Sequence, residues 1–145
     1  MLNLVRETLD GIRERSKHKT FVEAAMAACA MVALADEEQR LSELITRDRV
    51  LVRIDELRSI NHDQAVSVYD SFAHQICDDP EAGRARAMAS IGALAGDPEA
   101  AGLVVRMCVA IGRADQDFTA RERGMVEAIC RQLDVHPGDF EVYDI

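Results

Sequence analysis

Residues 21–36 read FVEAAMAACAMVALAD, an unbroken apolar run whose one polar interruption before Asp36 is Glu23. A run of this length outlasts an ordinary strand and is dominated by Ala and Met, so it predicts a helix surrounded by other helices. It also falls short of the roughly 20 apolar residues a bilayer crossing needs, which makes it a core helix rather than an anchor. Residues 100–117 read AAGLVVRMCVAIGRADQD and repeat its organisation 79 positions later. Cys29 and Cys108, Ala35 and Ala114, Asp36 and Asp115, Glu38 and Asp117, and Glu43 and Glu122 all share that offset, in order and without gaps. Self-similarity of this kind predicts a duplicated unit, with repeats at about 20–60 and 98–140.

Working outward, 145 residues suit one domain, and a 48% hydrophobic content supplies its core. Three Pro, eight Gly and 4% aromatics favour helices over strands. The predicted fold is all-α: a single-domain bundle of about seven or eight helices with two pseudo-symmetric repeats, divided into an N-terminal amphipathic helix (1–19) and a helical domain (20–145). Leu2, Val5, Leu9 and Ile12 mark the first helix, to Arg15. Thr20 and Glu23 stand in capping-box register for the second. A third begins near Leu41, its apolar residues being Leu44, Ile45, Leu51, Val52 and Ile54, with β-branched Val50 to Ile54 blurring its end. Asn61 caps a fourth, with Val68, Tyr69, Phe72 and Ile76 on one face. Asp79-Pro80-Glu81 and Asp97-Pro98-Glu99 open the fifth and sixth, each with Asp at the cap and Pro in the first turn. Thr119 and Glu122 open the seventh, with Met125, Val126, Ile129 and Leu133 inward, and His136-Pro137-Gly138 starts a last short turn.

A net charge of −9 argues against general affinity for nucleic acid, because phosphate binding needs clustered Lys and Arg. Only the N-terminus is basic: Arg6, Arg13, Arg15, Lys17 and Lys19 outnumber Glu7, Asp10 and Glu14. It can meet an anionic surface, although the interleaved acids fit an ordinary solvated face better. No stretch has the order of a signal peptide, so the expected location is cytoplasmic. Cys29, Cys77, Cys108 and Cys130 form no CxxC pair and lie inside apolar patterns, as inert thiols do. His18, His62, His74 and His136 lack ligand spacing, and no phosphate loop or catalytic triad is present in the sequence.

The chemistry concentrates at the two acidic corners. A carboxylate at a helix C-terminus costs about 0.3–1 kcal/mol unless something positive compensates it, and Asp36 and Asp115 both follow an apolar helix. Ca²⁺ or another divalent cation held by Asp36, Glu38 and Glu43, or by Asp115, Asp117 and Glu122, would compensate it with a hard, all-oxygen site. The alternative is that each Asp accepts backbone N–H bonds from the next helix, while Glu122 completes a capping box with Thr119. Neither corner is an EF-hand, which needs a Glu eleven positions after its first Asp, where Val126 stands.

These residues resemble the tellurite-resistance protein TerB family. Ala114-Asp115-Gln116-Asp117-Phe118-Thr119 with Glu122 is similar to that family's second acidic corner, and Ala35-Asp36-Glu37-Glu38 with Glu43 more loosely to its first. The likeness extends to Lys17-His18-Lys19-Thr20-Phe21, to Asp97-Pro98-Glu99-Ala100-Ala101 and to Leu133–Phe140, nearly the whole chain. Glu37 and Gln116 replace a family Gly, and Arg40 stands where the second copy has Thr119, so the second corner is the better candidate. The resemblance implies a non-enzymatic protein of tellurite and stress resistance. It requires no cofactor and works with protein partners of a tellurite-resistance system, membrane-associated ones included, peripherally to the inner membrane. One alternative is a helical adaptor that binds a basic protein partner without metal. Another is cysteine-based tellurite chemistry, disfavoured because Cys29 lies among Ala and Met.

Overall fold

The apolar run ends one uninterrupted helix, α1 (Leu2–Ala33), in a computed structural model that describes residues 2–55, 61–114 and 118–143. Val22 and every residue from Ala24 to Leu34 are at most 2% exposed. Burial on all sides is possible because α4 (His62–Asp78), α5 (Pro80–Gly92), α6 (Pro98–Arg113) and α7 (Ala120–Leu133) pack around this stretch. Two further helices, α2 (Glu37–Leu41) and α3 (Glu43–Asp55), and a 3₁₀ turn at Pro137–Phe140 complete the described structure, which is all helical and forms one bundle.

The expected break between a first and a second helix does not occur, and Thr20 lies inside α1. A Thr-x-x-Glu box forms only where the backbone before it leaves the helix. Ser16-Lys17-His18-Lys19 contains no Gly or Pro to cause that. The amides after Thr20 are better satisfied by continuing the i→i−4 ladder than by a cap. The third expected helix is corrected too. Its first residue, Leu41, belongs to α2, which is capped at Ser42 (φ −99°, ψ 32°), and α3 starts at Glu43 and stays helical through Val50–Ile54.

The remaining starts follow local chemistry. Asn61 accepts from Gln64 N at 3.0 Å. Asp79 ends α4 and begins α5, its N–H donating to Gln75 O at 3.0 Å and its Oδ1 accepting from Ala82 N at 3.2 Å. Asp97 Oδ1 accepts from Ala100 N at 3.1 Å. Pro80 and Pro98 occupy first-turn positions, where no intrahelical N–H is needed. The α4–α5 hairpin closes on Gly83, where a Cβ would lie 2.6 Å from the Ile76 backbone. Tyr69 and Ile76 of α4 and Val126, Ile129 and Leu133 of α7 are buried, with Val68, Phe72 and Met125 packed at the margin of the core. At its centre α1 meets α6: a hydrogen bond to Cys29, together with burial, holds the Cys108 thiol well above the usual thiol range.

Candidate functional site

The first corner is built from the end of α1 and from α2. Helical bonding carries past Ala33 through Leu34 N to Ala30 O, 3.0 Å, and the chain then extends at Asp36 (φ −125°, ψ 169°). That extended residue is the N-cap of α2. Asp36 Oδ1 accepts from Gln39 N at 2.7 Å, and Gln39 Oε1 accepts from Asp36 N at 3.2 Å. The carboxylate is therefore engaged by the backbone of the following helix, in a capping box made with Gln39 rather than at Arg40.

Positive charge at the end of α1 arrives as guanidinium. Arg84, from α5, donates through Nη2 to Ala35 O at 3.0 Å and to Leu34 O at 3.4 Å, and Arg40 Nη1 reaches Leu34 O at 3.5 Å. Burial and the nearby charges of Arg40 and Arg121 lower the Arg84 pKa. Sequence reasoning missed this residue because Arg84 lies 49 positions from Ala35 and reaches it only once the α4–α5 hairpin has formed. No local pattern around Asp36 could have signalled it.

Glu38 and Glu43 go elsewhere. Glu38 is exposed on α2. Glu43 is half-buried in the first turn of α3, where it lines a groove of about 470 Å³ with Arg40, Arg47, Asp70, His74 and Cys77. Its charge and the groove's partial burial raise the Cys77 pKa, burial more than Glu43. Across the groove, Arg47 Nε and Nη2 donate to Asp70 Oδ1 and Oδ2 at 2.7 and 2.9 Å, a bidentate pair that ties α3 to α4. Among the described residues no three His, Cys, Asp or Glu side chains are grouped to hold a metal ion.

At the second corner Asp115, Gln116 and Asp117 lie outside the described residues. Glu122 is fully buried. Its Oε1 accepts from Thr119 N at 3.0 Å, while Thr119 Oγ1 accepts from Glu122 N at 3.1 Å, the capping box expected from the sequence. Beside it, Phe118 sits against Gly112 and under two guanidiniums, Arg113 at 6.0 Å and Arg123 at 5.4 Å from the ring centre. Arg113 also donates to Glu141 O.

A different feature stands out on the surface of α2 and α3. Leu41 is 82% exposed, Leu44 and Ile45 76% each, and Val52 60%. Leu44, Ile45 and Val52 each lie three or four residues from Asp48 on α3 and share a side with it, and Leu41 precedes them at the end of α2. The charged side chains that are exposed between Glu37 and Arg53 are Glu37, Glu38 and Asp48, all acidic, whereas Arg40, Arg47, Arg49 and Arg53 are half-buried. The result is an open aliphatic stripe bordered by negative charge. Scattered exposed Leu or Val is ordinary, but a contiguous stripe marks a surface that meets something.

Among known proteins, the family model for tellurite resistance protein TerB matches residues 22–144. No curated protein and no solved structure matches the chain.

Proposed function

The chain belongs to the tellurite resistance protein TerB family, and from that membership we propose that it serves tellurite resistance as a non-enzymatic helical adaptor whose α2–α3 face binds a basic amphipathic helix of a partner protein. The observation that carries this reading is the exposure of Leu41, Leu44, Ile45 and Val52, whose exposed charged neighbours among the described residues of α2 and α3 are Glu37, Glu38 and Asp48. An amphipathic helix laid on such a stripe buries its apolar face, while its Lys and Arg meet Glu37, Glu38 and Asp48. The net charge of −9 favours approach of a cationic partner and disfavours nucleic acid. Cytoplasmic action at a membrane-associated partner is consistent with this, and no described helix is long and apolar enough to cross a membrane. Thiol chemistry is disfavoured: Cys29, Cys108 and Cys130 are buried, and the Cys77 pKa is raised, which lowers its thiolate fraction.

The test is fluorescence anisotropy of a labelled Leu/Lys amphipathic peptide titrated with the full chain. Saturable binding, weakened at least about tenfold by Leu44→Glu with Ile45→Glu, supports the adaptor; a tenfold loss corresponds to about 1.4 kcal/mol. Absence of binding at protein concentrations where the chain is monomeric, or binding indifferent to those substitutions, defeats it.

One observation favours a second reading, a divalent cation at the second corner: Glu122 is a fully buried carboxylate that follows Asp115 by seven residues and Asp117 by five. Calcium titration followed by NMR should then perturb residues around Glu122 and lose that response in Asp115→Asn. A spectrum unmoved at millimolar calcium removes this reading and leaves the adaptor untouched.

A further inference from the structure

The face that α2 and α3 leave open matches one segment of this same chain, and we propose that residues 2–19 of a second copy dock on it. The inference rests on the reading of α2–α3 as a docking face and adds its occupant.

Shape and charge both point to that segment. On α3, Leu44 to Val52 is a rise of eight residues, about 12 Å of helix, with Leu41 just before it on α2, and in the sequence Leu2, Val5, Leu9 and Ile12 recur at helical spacing over a rise of ten residues, about 15 Å. The exposed charges of the face are Glu37, Glu38 and Asp48. Two of its four arginines are engaged elsewhere, Arg40 with Leu34 O and Arg47 with Asp70, and Arg49 and Arg53 are half-buried. Residues 2–19 hold five basic side chains against three acidic ones, the opposite balance to the chain as a whole. Of that segment's described side chains, Arg6, Lys17, His18 and Lys19 are exposed.

The docking is between copies because α1 is one continuous helix and, in the single chain, leaves Leu41, Leu44, Ile45 and Val52 at 60–82% exposure. Reciprocal exchange gives each copy one helix to donate and one face to fill, a closed pair with two equal interfaces. With five basic and three acidic side chains the segment carries a net +2 to an acidic face, which offsets part of the repulsion between two chains of net charge −9.

The experiment is sedimentation equilibrium on the full chain and on two surface variants, Leu44→Glu with Ile45→Glu and Arg13→Glu with Arg15→Glu, circular dichroism first verifying that both remain folded. A dimer is expected for the parent, weakening as salt is raised. Each variant alone should self-associate at least about tenfold more weakly. Their mixture should recover dimer, since each supplies the element the other has lost. A parent that stays monomeric, a dimer that survives either variant, or a mixture that stays monomeric overturns the proposal. If the Leu/Lys peptide still binds a monomeric parent, only the second-copy occupant falls. Should Arg13→Glu with Arg15→Glu tighten peptide binding in a monomer, the occupant is instead the chain's own N-terminus and the proposal is wrong. Loss of both peptide binding and self-association removes the docking face itself.

Discussion

The guanidinium of Arg84 rests on the carbonyls of Leu34 and Ala35, just past the end of α1, and supplies the positive charge that an acidic helix end requires. Two backbone acceptors lose that partner in Arg84→Ala, so urea denaturation should show a loss of about 1–3 kcal/mol. Arg84→Lys should recover part of it, since the charge remains while the planar fork does not. Asp36 is equally local in its work, and its cap was legible in sequence because partner and acceptor lie three residues apart. Arg84 was not legible, for the opposite reason. The thiols give a second check at this scale. Cys77 is exposed and the other three cysteines are buried, so a thiol reagent should label one site in the native chain and four after unfolding. Burial pushes Cys130 up to about 11, which favours its neutral form in the folded state. That contribution to stability is complete below the unfolded thiol value of about 8.5 and is lost as pH rises through 11. Cys130→Ser should flatten the decline in unfolding midpoint across that window.

Helix starts carried by Asn61, Asp79, Asp97 and Thr119 are written in side chains that reach only their own first turn, and all four form as their sequence indicates. Thr20 shows where such a signal misleads, because the same residue pattern inside a run without a breaker simply stays helical. The orientation of α3 was beyond a single-sequence reading. Leu44, Ile45, Val50, Leu51 and Val52 are apolar on more than one side of the helix. The face that turns inward is set by partners elsewhere: Thr46 Oγ1 donating to Gln39 O at 3.4 Å, Arg47 on Asp70, and Val50 fully buried. Leu44, Ile45 and Val52 therefore face out. Contact between elements also fixes the α4–α5 hairpin, which closes at Gly83 with no room for a methyl group. Gly83→Ala should cost about 1–3 kcal/mol through forced separation of the two helices, visible as a lowered midpoint in thermal unfolding. Gly96, with open space around it, is the control and should tolerate Ala.

At the scale of the whole molecule, the apolar run that ends α1 is what the sequence declared most clearly, and α1 meets α6 through Cys29 and Cys108, which stand 79 positions apart in the sequence. The membership in the TerB family extends over residues 22–144, so the bundle and the match describe nearly the same stretch of chain. What the molecule leaves uncovered is an aliphatic stripe with acidic borders on α2–α3, and the account of its function stands on that surface being a docking site. The most direct measurement is a methyl NMR titration of the full chain with the basic amphipathic peptide. The predicted result is that methyl signals of Leu41, Leu44, Ile45 and Val52 shift together and saturate, while those of buried Val126, Ile129 and Leu133 stay in place. Shifts centred on α7, or a spectrum that does not respond, would contradict it.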